Sequence, residues 1–266
     1  MYKLDFSYIY QKLKKDYLKF LPNSPVSIIT KKIGINDNLL ELRYKRDLDR
    51  FPDEIKKMLM DIREETGEFL MNKSFKNLGD ILNHLIDTEK IEGNIIEFGT
   101  YKGQTTVFIA KALEKIHSHK KIFACDTFQG IPYEDKFSTN KKVKGSFSDT
   151  SYESIQKVFD NFKVSNKIQI IKGKFEDVVE NNLKNEKFSY VFVDCDVYDA
   201  SVFSLNFGFP RLTKNGIISF DDYERDNRLE ARWGMTKAVD DYCKKYKINL
   251  VLDTNEYQKL PHIIKD

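Results

Sequence analysis

The sequence predicts an α/β fold: a doubly wound, mostly parallel sheet over residues 91–266, preceded by a helical N-terminal cap over residues 1–90. Three observations carry this prediction. After Gly93, short unbroken apolar runs alternate with amphipathic stretches, the pattern of strands covered by helices on both faces. Acidic residues stand at four of the five strand ends that read together: Glu97, Asp126, the Asp194/Asp196 pair and the Asp221/Asp222 pair, with Lys172 and Gly173 at the fifth. Before Gly93 the texture is helical.

The elements follow in order. "SYIYQKLKKDYLKFL" has apolar residues at helical spacing and is broken by "PNSP". "FPDEIKKMLMDIREET" restarts a helix, with Pro52 and acidic residues in its first turn. "SFKNLGDILNHLIDTEKI" places Leu78, Leu82, Leu85 and Ile86 on one face. These helices suit a lid or an oligomer surface, so a dimer or larger homo-oligomer is expected. The strands "NIIEF", "KIFACD", "KIQIIKG", "FSYVFVD", "GIISFDD" and "INLVLD" then alternate with helices beginning at "TTVFIAKALEKIH" and ending at "GMTKAVDDYCKKY".

Composition excludes several classes. The net charge of +3 comes from 44 basic and 41 acidic residues, a balance that offers no basic face for nucleic acid. No run has the length of a membrane span. "MYKLDFSYIYQKLKKDYLKF" lacks the apolar core of a signal peptide and the arginines of a transit peptide. Cys125, Cys195 and Cys243 form no CxxC pair, so neither a disulfide framework nor a zinc site is expected, and a cytoplasmic location is.

In such sheets ligands bind beyond the carboxyl ends of the strands. The first strand end reads "EFGTYKGQTT". Gly99 and Gly103 permit a tight turn and close backbone approach, while the next helix begins with unpaired N–H groups. A dinucleotide fingerprint would read GxGxxG; this loop reads GxxxG and follows Glu97, which repels phosphate and suits a cationic amino group. A plain glycine turn is the competing reading. Asp126, 23 residues after Gly103, is placed to accept a ribose diol, or to cap a turn. Loop and acid together favour an adenosine carrying a charged amino acid, which describes S-adenosylmethionine.

"VDCDVYDAS" puts Asp194 and Asp196 on one face and turns Cys195 away as a packing residue. "FDDY" adds Asp221 and Asp222 where the chain leaves its strand. Two like charges 4 Å apart repel by about 4 kcal/mol at an effective dielectric of 20, a cost that a divalent cation reverses. Oxygen-only donors suit magnesium, manganese or calcium rather than zinc. Unrelated caps of separate helices are the alternative.

"IIEFGTYKGQTT", "FACDTFQGIP", "FVDCDVYDAS", "GIISFDDY" and "WGMTKAVDDY", in this order over about residues 90–245, resemble the macrocin O-methyltransferase family. The family pattern after the first strand is close to ExGxxxGGS; here Gln104 and Thr105 replace its last glycine and serine. The resemblance implies a Rossmann-like fold of the class I methyltransferase type and a metal-dependent, S-adenosylmethionine-using methylation of sugar hydroxyls. It implies that Glu97, Gly99, Thr100, Tyr101, Gly103 and Thr105 shape the methionine end of the cofactor site. Asp126, with Thr127 and Phe128, would hold the ribose, and Gly173, Phe175 and Glu176 the adenine. Asp194, also beside the cofactor, would hold Mg2+ (or Mn2+) with Asp221 and Asp222. Asp196 is implied as general base, and Tyr198 and Tyr223 as neighbours of the substrate. Trp233 either stacks on a sugar ring or packs the start of the next helix.

The expected function is therefore transfer of a methyl group to a hydroxyl of a sugar or glycoconjugate. A catechol-like or other vicinal-diol acceptor fits the same site logic. A nicotinamide-dependent oxidoreductase would need the missing GxGxxG loop, a non-catalytic binding protein would not need the acids, and a phosphohydrolase leaves Asp126 unused. Lys136, Lys141, Lys142 and Lys144 read as a solvated loop, and Asp240 and Asp241 as helix surface.

Overall fold

The computed structural model describes residues 53–66, 75–135, 137, 144–223, 234–252 and 260–266. The helix expected over "SYIYQKLKKDYLKFL" and Pro52 lie outside these residues, as do Trp233, Lys136, Lys141 and Lys142. The helices are α1 (Asp53–Thr66), α2 (Phe75–Asp87), α3 (Gln104–Lys115), α4 (Tyr152–Asn161), α5 (Phe175–Leu183), α6 (Tyr198–Arg211) and α7 (Gly234–Tyr246). The strands are β1 (Asn94–Phe98), β2 (Ile122–Asp126), β3 (Ile168–Lys172), β4 (Phe188–Val193), β5 (Leu212–Phe220) and β6 (His262–Ile264).

The six strands form one sheet in the order β3-β2-β1-β4-β5-β6. Strands β1 to β5 are parallel, and β6 runs antiparallel on the β5 edge. The chain order reverses between β1 and β4, so the crevice beyond those two strands is where a ligand is expected.

Side-chain alternation divides the core into two layers. On one face Ile95, Ile122, Tyr190, Phe192 and Ile217 pack with apolar residues of α1, α2, α3 and α4. On the other, Ile96, Phe98, Phe123, Val191 and Ile218 pack under α5, α6 and α7. In that second layer Phe98 meets Phe175, Phe203 and Phe207 edge-on, at centroid distances of 5.2, 6.3 and 6.3 Å. Such pairs add about 0.5–1.5 kcal/mol each beyond their buried area. Helix α3 is buried nearly all round because α1 and α2 pack against it. Leu59 and Ile62 of α1 belong to the same cluster as the strands, so the core continues across residue 90.

Two expectations are corrected. The face of α2 is Leu78, Ile81, Leu82 and Leu85, while Ile86 is exposed. "INLVLD" is not the last strand: its described part makes a single bridge, Val251 to His262, and Val251 and Leu252 are exposed. The last strand is β6, whose three residues bury only Ile263 and are too few to show a period in sequence.

Candidate active site at the strand ends

The first strand end is shaped by close chain packing. Gly99 has φ +95°, and a Cβ there would stand 1.8 Å from the Asp194 carbonyl oxygen. The close approach of the chain just past β4 by itself demands glycine here. Asp194 N–H donates to the Phe98 carbonyl at 2.8 Å, which holds the two strand ends side by side. At Gly103 (φ +76°) a Cβ would press on the Phe159 ring, and at Gly173 (φ +146°) on the Val178 side chain.

Glu97 is 1% exposed and accepts a hydrogen bond from the Thr106 hydroxyl, also buried. It ties β1 to α3 and is closed to solvent. Thr105 is buried beside it on α3. Tyr101 turns outward: its hydroxyl donates to Asp149 at 2.7 Å, and its ring meets Phe147. Lys102 joins the same carboxylate at 2.7 Å. The Thr100 hydroxyl oxygen is buried and has no hydrogen-bond partner among the described residues.

Asp126 is oriented by the backbone. One carboxylate oxygen accepts from Tyr101 N–H and the other from Phe128 N–H, each at 2.8 Å. A carboxylate has about four acceptor sites, so this anchored group still has lone pairs for a diol. Thr127 instead closes the turn, its hydroxyl donating to the Gly130 carbonyl at 2.8 Å. Phe128, with φ +54°, is buried in the core against Tyr152. Gly173 N–H donates to the Asp126 carbonyl at 2.9 Å, so the β3 end adjoins Asp126 as expected. Phe175 is a core residue packed on Phe98, and exposed Glu176 accepts from the Tyr133 hydroxyl at 2.5 Å. Burial raises the Tyr133 pKa first, and the Glu176 bond raises it further. A fixed carboxylate and a buried hydroxyl fit a ligand with a ribose diol and polar amino-acid groups.

The β4 and β5 ends carry the second constellation. Asp194, Asp221 and Asp222 each present a carboxylate oxygen, all within 4.8 Å of one another. Asp221 N–H donates to the Val193 carbonyl at 3.0 Å, and its side chain accepts from the Asn77 amide at 3.2 Å. Three partly buried carboxylates with no nitrogen or sulfur donor fit a hard divalent cation. The fit rests on this donor set.

Asp196 is not one of that trio. It lies past the strand with φ +57°, and its carbonyl accepts from Met235 N–H at 3.0 Å. Cys195 packs in the core as expected, near the Ser201 hydroxyl, and burial pushes its thiol pKa up. Tyr198 donates to Asp241 at 3.0 Å, and Tyr223, itself buried, donates to Asp240 at 2.9 Å. The Asp240/Asp241 pair is therefore not bare helix surface: it ties Tyr223 and the first residue of α6 to α7. Lys237, bonded to Asp241, lowers that carboxyl's pKa, and the Tyr198 hydroxyl adds to the effect. Tyr223 thus faces α7. Phe137 lies against the Tyr198 ring at a centroid distance of 4.5 Å. Lys144 is exposed, in keeping with a solvated loop.

Asn77 is absent from the sequence reading, as are the bonds by which Tyr198 and Tyr223 meet α7. A signal for Asn77 did exist: Asn77, Asp80 and His84 form a polar stripe at helical spacing along α2. The tyrosine–aspartate pairs join elements distant in sequence and left no local signal.

Comparison with known proteins gives the family and the fold. The Macrocin-O-methyltransferase (TylF) family matches residues 41–257. The 8-demethyl-8-(2,3-dimethoxy-alpha-L-rhamnosyl)-tetracenomycin-C 4'-O-methyltransferase of Streptomyces olivaceus is 21% identical over 182 residues, covering 64% of this chain and 66% of that protein. Mycinamicin III 3''-O-methyltransferase of Micromonospora griseorubida is 22% identical over 156 residues, 53% of this chain and 61% of that protein. The match thus spans just under two thirds of these relatives' own lengths. Among solved structures, the calicheamicin methyltransferase CalS11 superposes with a TM-score of 0.63 at 18% identity, over 92% of this chain and 95% of that one. The O-methyltransferase NovP gives 0.60 at 20% identity, over 71% and 79%. These structures share the fold. With most of its length matched, the chain belongs to the macrocin-O-methyltransferase family.

Proposed function

We propose that this protein transfers a methyl group from S-adenosylmethionine to a hydroxyl of a sugar or glycoconjugate, with a divalent cation at the β4 and β5 ends. The observation that carries this reading is the gathering of three carboxylate oxygens within 4.8 Å at the β4 and β5 ends, next to the switch point between β1 and β4. The name of the Streptomyces olivaceus relative includes a rhamnosyl group, which supports a sugar as acceptor.

S-adenosylmethionine, when bound, supplies a methyl group on a sulfonium, already a strong electrophile. The cation, when bound, supplies Lewis-acid polarisation of an acceptor oxygen. The chain supplies the rest. Asp126 orients the ribose through lone pairs left by its two backbone bonds. Asp194, Asp221 and Asp222 hold the cation, their main chains tied to neighbouring strands at Asp194 and Asp221. Asp196 accepts the proton of the acceptor hydroxyl, a role that contributes about 10²–10⁴ in rate. Its backbone is fixed to α7 through Met235, which limits how far the carboxylate can drift. Helix α2 serves as part of the site wall, through Asn77 at Asp221.

Calorimetric titration with S-adenosylhomocysteine, with and without MgCl2 and with NADH in parallel, tests the reading. Saturable binding of S-adenosylhomocysteine and none of NADH is expected. Binding of NADH, or of neither, overturns the cofactor and with it the reaction.

A further inference from the structure

Helix α2 enters the site from outside the motifs. Its polar stripe makes three separate contacts. Asn77 donates from Nδ2 to Asp221 Oδ1 at 3.2 Å. Asp80 accepts from Leu260 N–H at 2.7 Å. His84 is buried between the rings of Tyr190 and His262, at centroid distances of 5.7 and 4.6 Å. The orientation of the Asn77 amide is dictated by its partner, because the reverse orientation would set two acceptor oxygens against each other.

The rest of α2 is locked. Leu78, Ile81, Leu82 and Leu85 are buried in the core, and the helix packs on α3. Asn77 therefore reaches Asp221 from a rigid element. Two bonds of Asp221 bear on the site: its N–H on the Val193 carbonyl at 3.0 Å and its carboxylate on Asn77. The first bond fixes where the residue sits, and the second fixes which way its carboxylate turns.

That second constraint bears on the trio. Carboxylates within 4.8 Å of one another repel by about 3 kcal/mol or more per ionised pair at an effective dielectric of 20. Free rotation would let them swing apart, and a cation would then have to regather them on binding. A donor on one oxygen of Asp221 resists that swing and neutralises part of its charge.

We propose that Asn77 is a positioning residue for the cation site, presetting the Asp221 carboxylate toward Asp194 and Asp222. This rests on the reading of those three aspartates as a divalent-cation site. Hydrogen-bond partners of metal ligands typically carry 10–100-fold in metal affinity.

Mn2+ binding to the full chain, followed by electron paramagnetic resonance of the free ion, tests the proposal without any acceptor. Asn77→Leu keeps the number and branching of side-chain heavy atoms and removes the donor. It should weaken Mn2+ binding about 10-fold or more, with little change in thermal midpoint. Asn77→Ala is read the same way if leucine at this position prevents folding. Asp80→Asn serves as a control, because it disturbs a different anchor of α2 and should leave Mn2+ affinity near wild type. Equal Mn2+ affinity in wild type and the Asn77 variants overturns the proposal while leaving the cation site standing. An equal loss in Asp80→Asn also overturns it, since the effect is then general loosening of the helix. Absence of Mn2+ binding by the wild type overturns the cation site itself, and this inference with it.

Discussion

The two halves of the strand-end crevice treat negative charge in opposite ways. On the β1–β2–β3 side, Asp126 has each carboxylate oxygen on a backbone N–H at 2.8 Å. On the β4–β5 side, Asp194, Asp221 and Asp222 bring carboxylate oxygens within 4.8 Å of one another. The first arrangement is stable by itself and offers spare lone pairs to a neutral diol. The second gathers like charge and is best satisfied by a cation from outside. Under the proposed function, the first half takes the hydroxyl-bearing ligand and the second takes the metal.

The sharpest contrast comes from single carboxylates. Asp196→Asn should lower turnover about 10²–10⁴-fold while leaving S-adenosylhomocysteine and Mn2+ binding intact; full activity would remove Asp196 as the base. Gly99→Ala attacks the seam between the halves, where a Cβ meets the Asp194 carbonyl at 1.8 Å with φ at +95°. Overpacking and backbone strain together should cost about 2–6 kcal/mol, measured by denaturant unfolding, and should weaken ligand binding on both sides. An unchanged midpoint would contradict the close approach of the two strand ends.

Asp126→Asn tests the self-sufficient half. The amide turns an NH2 toward one of two backbone N–H groups, so one of the bonds must break. A loss of about 1.5–3 kcal/mol in S-adenosylhomocysteine affinity is expected, with Mn2+ affinity unchanged; coupled losses would show that the halves are not separable. Tyr223→Phe removes the bond to Asp240 and should lower stability by about 1–2 kcal/mol without changing acceptor affinity, because the hydroxyl faces α7.

The smallest effect concerns the rim. Lys102 first, and the Tyr101 hydroxyl next, hold the Asp149 carboxyl below its ordinary value of 3.8. A lowered folded pKa gives stability that is complete above the unfolded pKa and fades as pH falls through the folded one. Asp149 is exposed, so the contribution is a few tenths of a kcal/mol at about 0.1 M salt. Asp149→Asn should match wild type once pH has fallen through the lowered folded pKa and fall slightly behind it at neutral pH, as read by thermal midpoint across pH.

Much of this architecture was legible in the chain, for identifiable reasons. Strands buried on both faces leave unbroken apolar runs such as "FSYVFV", and every residue of that strand is buried. Acids at strand ends interrupt those runs abruptly, so Asp126, Asp194, Asp221 and Asp222 stand out. Edge and cross-element features did not. His262–Ile264 is too short to show a period, and Asn77 meets Asp221 across 144 residues. The glycines were legible as turns, but the reason for Gly99, the approach of the Asp194 carbonyl, exists only in three dimensions. Tyr223 is legible beside the FDD motif, whereas its bond to Asp240 on α7 exists only in three dimensions.

The most direct test of the central claim is anomalous diffraction from crystals soaked in MnCl2. This account predicts one strong peak within coordination distance of Asp194, Asp221 and Asp222 together. Absence of a peak there, or a peak held by other residues, would contradict the reading of the β4 and β5 ends as a divalent-cation site.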